Sequence, residues 1–317
     1  MQSNVHTVNE HLRRAGQILS LLKPRHTNLE HAERFGSKND GGYVLINDLK
    51  KDDFLISMGV ANDVNFEIDL SRYVTGSHLY DDSIDELPLP VPNGLFFKER
   101  IGGSGLTSIS DAINKVPIGC DLILKVDIEG SELEAFDQLK FNEQIKFRQI
   151  IVEYHWLEKI LEDTFYTQLL LVLEKLDETH FVFNSHPNNH GDTLIVENLL
   201  FPSVVEVTYL RKEDYGFQNN FLNQTNVLSK LNRPCNPNVP EIYFPNLMEL
   251  ESLNLESSSI GVISLLRVSQ LAQEREALAQ ERDALAQERD ALITSAIWKI
   301  SAPYRKIRSN LKTLFKN

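Results

Sequence analysis

Between Phe54 and Tyr209 short apolar runs alternate with stretches of helical periodicity, and this alternation leaves the chain few folds to choose from. The strand-like runs are FLISMGV (54–60), SHLYD (77–81), LFFKERI (95–101), DLILKVD (121–127), RQIIVEY (148–154), HFVFNS (180–185) and VVEVTYL (204–210). Helical patterns fall near 64–73, near 108–115, from about 131, and near 163–178. Strands connected through helices require right-handed crossovers, which build a mostly parallel sheet covered by helices on both faces. The expected core is therefore a doubly wound α/β domain. Upstream, Val5, Val8, Leu12, Ala15, Leu19 and Leu22 recur at helical spacing before Pro24, which predicts an entry helix that covers the domain.

After about residue 215 the character changes. NRPCNPNVP (232–240) is too rich in Asn and Pro for regular structure, and SLNLESSS (252–259) has the composition of a linker. The expected layout is a helical cover over 1–34, the α/β domain over 35–245, a linker over 246–264, a heptad helix over 265–295 and a basic amphipathic tail over 296–317. The heptads LAQEREA, LAQERDA and LAQERDA keep Leu271, Leu278, Leu285 and Leu292 in register. Each heptad offers a single Leu, so a solvated spacer and a weak homo-oligomerisation helix are both open. In the tail, Ile297, Ile300, Tyr304, Ile307, Leu311 and Leu314 share one side while the basic residues lie elsewhere. This suits either an anionic membrane surface or docking on a protein.

The formal charge is -13, and residues 293–317 hold six basic side chains and no acid, so the remainder is more acidic still. Such a body repels phosphates, which argues against nucleic acid as a partner. Two cysteines, Cys120 and Cys235, make neither a disulfide framework nor a zinc spacing. The N-terminus has no apolar signal stretch and no run is long enough to span a bilayer, so cytoplasmic residence is expected.

Ligands of open α/β sheets collect at the carboxyl ends of the strands. The first strand ends in Ser57-Met58-Gly59, where a glycine turn before a helix admits a nucleotide-like ligand to the backbone. The second ends at Asp81 and Asp82, about twenty residues on, the place of a ribose-binding acid or simply of a helix cap. Gly102 and Gly103 are expected to end the third strand and to contribute to the cofactor site. Asp127 and Glu129 end the fourth, and Glu153 and His155 the fifth, a cluster able to bind a cation or act as general base. FNSHPNNHGD (183–192) reads either as an ordinary polar loop or as a surface that touches a hydroxyl-rich acceptor.

KVDIEGSE (125–132) resembles the K-x-D-x-E-G-x-E signature of FkbM-type methyltransferases, which use S-adenosylmethionine. DGGYV (40–44), SMGVANDVNFE (57–67), YDDS (80–83) and VVEVTYLRK (204–212) resemble further segments of that family in the same order, so that the resemblance covers roughly 35–215. It implies a Rossmann-like class I methyltransferase sheet of seven strands, the last antiparallel. It places Gly59, Asn62 and Asp63 under the methionine part of the donor and Asp81 on its ribose. It sets Asp40, Gly41 and Gly42 beside the cofactor, and Asp127 and Glu129 near the reacting methyl group. The family's glycine-rich turn departs here to Ser57-Met58-Gly59-Val60-Ala61, with Ala61 in place of a second glycine.

The implied reaction is O-methyl transfer, with Asp127, Glu129 or His155 as base and Glu153 as a positioning group, or with a divalent cation polarising the hydroxyl. AIWKISAPYRKIR resembles the short tails of bacterial enzymes of surface-polysaccharide assembly. Together these imply a sugar of a cell-surface glycan, or a lipid-linked sugar, as acceptor and a place at the inner face of the membrane. A small-metabolite or lipid methyltransferase and a catalytically silent scaffold are the alternatives.

Overall fold

The computed structural model describes residues 2–28, 30–196, 199–221 and 228–244. The expected linker, heptad helix and basic tail lie outside the described residues.

The strands are β1 (Arg25–Thr27), β2 (Ala32–Gly36), β3 (Gly42–Ile46), β4 (Asp53–Met58), β5 (Gly76–Tyr80), β6 (Gly94–Phe97), β7 (Asp121–Val126), β8 (Phe147–Tyr154), β9 (His180–Pro187), β10 (Thr193–Val196), β11 (Leu199–Pro202), β12 (Val205–Arg211) and β13 (Phe217–Phe221). The helices are α1 (Gln2–Leu21), α2 (Asn65–Leu70), α3 (Ile109–Lys115), α4 (Glu132–Asp137), α5 (Phe141–Gln144), α6 (Asp163–Thr179) and α7 (Leu228–Leu231), with a 3-10 turn over Leu157–Leu161.

Seven strands form one sheet in the order β6-β5-β4-β7-β8-β12-β9. The pairs β4·β5, β4·β7, β5·β6 and β7·β8 are parallel, while β12 runs antiparallel to both β8 and β9. This is the seven-stranded, mostly parallel Rossmann-like sheet that the sequence resemblance implied, with the last strand reversed. From β4 the chain steps outward to β5 and β6, then returns and steps the other way through β7 and β8. Right-handed crossovers in opposite directions put helices on opposite faces.

The central strands read as unbroken apolar runs because both their faces are covered, and every residue of β4 is buried. On one face Leu55, Ile123 and Ile151 of the sheet meet Phe66 and Leu70 of α2 and Tyr43 and Leu45 of the β2–β3 hairpin. α6 buries Leu169, Val172, Leu173 and Leu176, packing with α4 and β9. α1 buries Ala15, Ile18 and Leu19 and contacts α6. Its Arg14 donates to the carbonyl of Leu161 at 3.1 Å and pairs with Asp163. α3 starts at a capping box, in which Ser108 and Asp111 satisfy each other's backbone N–H groups.

Two expectations need correction. The third strand stops at Phe97, and the segment beyond it is held only by a bridge between Ile101 and Thr107, because Lys98, Glu99 and Arg100 end the apolar run. The antiparallel pairs β2·β3, β10·β11 and β1·β13 were not foreseen, since each is short and two-stranded and lacks a long alternating pattern. Among the described residues no helix is long and apolar enough to cross a membrane.

A buried ion-pair group fastens the β2–β3 hairpin to the sheet. Arg148 on β8 donates to Asp53 at 2.8 Å and to Asp48 at 2.7 Å, and Asp53 is 0% exposed. Gln149 exchanges hydrogen bonds with the backbone of Ile46 at 3.1 and 2.7 Å. Arg148→Met strands the Asp53 charge and should cost about 3–5 kcal/mol in urea unfolding, whereas Arg148→Met with Asp53→Asn should recover most of it.

Candidate active site

The carboxyl ends of β4, β5 and β7 meet at the point where the strand order reverses, and a cleft of about 700 Å³ opens there. That size suits a nucleotide-like ligand. Its floor is set by Gly59. With φ at +77°, Gly59 passes so close to β7 that a Cβ would stand 1.5 Å from the Asp127 carbonyl oxygen. No other residue fits there.

Beyond the glycine the turn is held by Asp81 at the end of β5. One carboxylate oxygen accepts the N–H groups of Val60 at 3.0 Å and Ala61 at 2.8 Å, and the other accepts the Ser83 N–H at 2.7 Å and hydroxyl at 2.6 Å. Burial alone would raise the Asp81 pKa, but the bonds from Ser83, Ala61 and Val60 outweigh it and lower it. This accounts for the departure at Ala61. Its φ is +41°, a conformation that suits glycine, and the Asp81 oxygen holds the alanine in it.

Asp63 ties the DGGY segment to the start of α2. It accepts the Asn65 N–H at 2.8 Å and the Ser37 hydroxyl, and it lies against Gly41, whose φ is +75°. Asp40, Gly41, Gly59, Asn62, Asp63, Asp81, Asp127 and Glu129 all line the cleft. Gly42, Gly102 and Gly103 do not line it. Gly42 sits within β3 against Ser37 and Arg34, and Gly102 and Gly103 lie near Leu106 and Glu134, past the short β6. Glu99, Arg100 and Ile101 line that side of the cleft instead.

Behind Asp127 lies a cluster of ionisable side chains. The Tyr43 hydroxyl donates to Asp127 at 2.9 Å and faces Glu153 at 3.4 Å. His155 Nδ1 meets Glu132 at 3.0 Å, and its Nε2 lies 3.5 Å from Glu129, 3.9 Å from Glu153 and 4.0 Å from Asp127. Burial would lower the His155 pKa, but Glu132, Asp127 and Glu129 around the ring raise it. Burial, with Asp127, Glu206 and Asp40 nearby, raises the Glu153 pKa well above the usual range. Glu132 is itself buried and accepts the N–H groups of Ile128 and Gly130 at 3.1 and 3.0 Å, which shapes the turn carrying Glu129. Gly130 lies flat on the Trp156 ring, where a Cβ would come within 2.9 Å.

Sequence reasoning passed over several cleft residues. Lys125 is 5% exposed, donates to the Gly59 carbonyl and lies 3.4 Å from Asp127. Burial opposes its charge, but Asp127, Glu67 and Glu153 more than offset this and raise its pKa. Glu67 accepts the Ser57 hydroxyl at 2.6 Å, which returns a carboxylate to a first strand that ends without one. A lone lysine inside DLILKV was the available signal for the first; for Glu67, in the first turn of α2, it was its place at the end of the family-like segment SMGVANDVNFE. Asn188 and Asn189, in the segment read either as a polar loop or as an acceptor-facing surface, are buried and point inward. Asn188 donates to Glu153 at 2.7 Å, and Asn189 binds the backbone of Asn236 at 2.9 and 2.7 Å.

No family model matches the chain, and no curated protein matches it. Solved structures do. SMU.1697c from Streptococcus mutans, assigned as a methyltransferase and crystallised with SAH, is 14% identical over 51% of this chain and 88% of its own, with a TM-score of 0.31. An rRNA methylase from Streptococcus thermophilus is 11% identical over 51% and 89%, with a TM-score of 0.33. The N-methyltransferase NodS from Bradyrhizobium japonicum WM9 is 10% identical over 63% and 94%, with a TM-score of 0.28. The fold assignment rests on the strand order and the reversed β12 described above, not on these scores.

A carboxyl group whose folded pKa is raised contributes stability at low pH that is lost as pH rises through that pKa. Glu153→Gln keeps an acceptor for Asn188 and removes the buried charge. Its thermal midpoint should therefore exceed that of the wild type at pH 8, with the gap closing towards pH 5.

Proposed function

We propose that this chain is an S-adenosylmethionine-dependent methyltransferase that methylates a hydroxyl group, with a sugar of a bacterial cell-surface glycan as acceptor. The observation that carries the reading is a pair of buried, unpartnered polar atoms in the cleft, Glu67 Oε2 and Tyr80 Oη. Unsatisfied buried polar atoms are costly, and a ligand rich in donors and acceptors would satisfy both. A free carboxylate oxygen suits the amino group of a methionine moiety, and Lys125 is placed to meet its carboxylate. Asp81 already accepts four donors, so ribose hydroxyls would displace Ser83 or turn to the exposed Asp82 beside it.

Bound there, the cofactor supplies an activated methyl group, and the protein's task is to align the acceptor and take its proton. Asp127 lines the cleft, whereas His155 stands behind it among four carboxylates and Glu153 faces Tyr43. This favours Asp127 as the group that receives the proton, with Tyr43 and His155 fixing its orientation. The donor atoms of Asp127, Glu129 and His155 lie within 4.8 Å of one another, so the same group could hold a divalent cation that polarises the hydroxyl. The resemblance of KVDIEGSE supports the FkbM-type assignment, and the resemblance of the tail supports the glycan acceptor and a peripheral place at the inner membrane.

Calorimetric titration of the full chain with S-adenosylhomocysteine tests the cofactor. Saturable binding, weakened at least about tenfold in Asp81→Ala, is expected; an absence of binding would leave the scaffold reading in its place. With sugar acceptors, Asp127→Asn should lower kcat by about 10²–10⁴-fold while S-adenosylhomocysteine affinity changes little.

A further inference from the structure

We propose that His186, Glu206 and Cys235 form a zinc site, none of whose ligands lines the cleft. The three side chains come from β9, from β12 and from the irregular segment after α7, and all three are buried. A nitrogen, a carboxylate oxygen and a sulfur, one from each, lie within 4.8 Å of one another. A mixed imidazole, thiolate and carboxylate set matches zinc better than magnesium or calcium, which take oxygen ligands alone.

The donors are held in place before any ion arrives. His186 and Glu206 are direct partners in the β9·β12 ladder, so their side chains leave the same face of the sheet. Cys235 is carried to them by a clasp in which the Asn189 side-chain amide donates to the Asn236 carbonyl and accepts the Asn236 N–H, while the Asn39 side chain donates to the Pro234 carbonyl at 2.7 Å. His186 Nε2 meets Glu241 at 2.9 Å, which leaves Nδ1 turned towards Glu206 at 3.3 Å. A carboxylate on the far nitrogen of a histidine is the usual outer support of a metal-bound imidazole.

The surroundings are acidic and suit a cation. Glu206 is also the ladder partner of Glu153 on β8, so two buried carboxyl groups stand side by side, an arrangement that a proton on one of them or a nearby cation relieves. The carboxylates of Asp40, Glu153 and Glu206 converge within 4.8 Å. Among the described residues no lysine or arginine forms an ion pair with Glu153 or Glu206; the Arg34 guanidinium acts on Glu206 and Cys235 from beyond ion-pair distance, its hydrogen bonds going to the carbonyls of Ser37 and Asn39. A doubly charged ion beside Glu206 would offset this repulsion.

Binding is a ligand exchange in which nothing is oxidised. The Cys235 thiol, now donating to Glu206 at 3.1 Å, gives up its proton and binds as thiolate. Any proton on His186 Nδ1 leaves with it, while the Nε2 proton stays with Glu241. The three protein ligands leave a fourth position for water.

The test uses the full chain, stripped with chelator and titrated with cobalt(II) as an absorbing stand-in, then with zinc. A thiolate-to-cobalt charge-transfer band saturating at one ion per chain, displaced by zinc, is expected. Cys235→Ser, a near-isosteric change, should abolish the band. Glu241→Gln should weaken metal affinity about 10–100-fold. Asp127→Asn, which alters the cleft, should leave the band intact. Absence of the band in the wild-type chain, or its loss in Asp127→Asn and retention in Cys235→Ser, would overturn the proposal. S-adenosylhomocysteine binding is measured separately, so the zinc site and the methyltransferase reading stand or fall apart.

Discussion

Everything in the cleft follows from the close passage of two backbones at the ends of β4 and β7. Gly59 leaves no room for a side chain above the Asp127 carbonyl, so the two strand ends stay in contact and both loops diverge from one point. Asp81 then stiffens the first loop and Glu132 the second, each by accepting two backbone N–H groups from the turn it supports. The cleft is held open by acids acting on main chain, before any of them acts on a ligand.

The same economy explains the strained residues. Ala61, Glu129 and Trp156 have φ of +41°, +53° and +61°, and all three sit on loops at the cleft end of the sheet. Each such conformation costs about 1–2 kcal/mol for a residue other than glycine. The cost is offset at Ala61 by the N–H that it donates to Asp81, and at Glu129 by the turn that Glu132 supports.

The parallel strands and the main helices were legible because their signal is local: unbroken apolar runs, helical spacing and abrupt endings in carboxylates. Asp81 and Asp127 could be placed for the same reason, since each directly follows a buried strand. What escaped notice depends on pairing between distant segments. Tyr43 reaches Asp127 only because a short hairpin folds over the sheet, and that hairpin has too few residues to show a pattern of its own. Asn188 looked like a loop residue, yet the continuation of β9 to Pro187 turns it towards Glu153. Glu206 lay in an apolar run whose place beside β8 cannot be read from its own residues.

The reversed strand also has a bearing on the order of assembly. β12 enters between β8 and β9 after the chain has already passed through the β10–β11 hairpin, so β8 and β9 cannot close on each other as neighbours. They must wait for a strand made later, and non-local pairing of this kind is slow because the loop has to close before contacts reward it. Glu206 arrives with that strand. The ionisable row through Glu153, Glu206 and His186 is thus absent from any partly folded chain that lacks β12, and the two flanking edges stay free of buried charge until the sheet is complete.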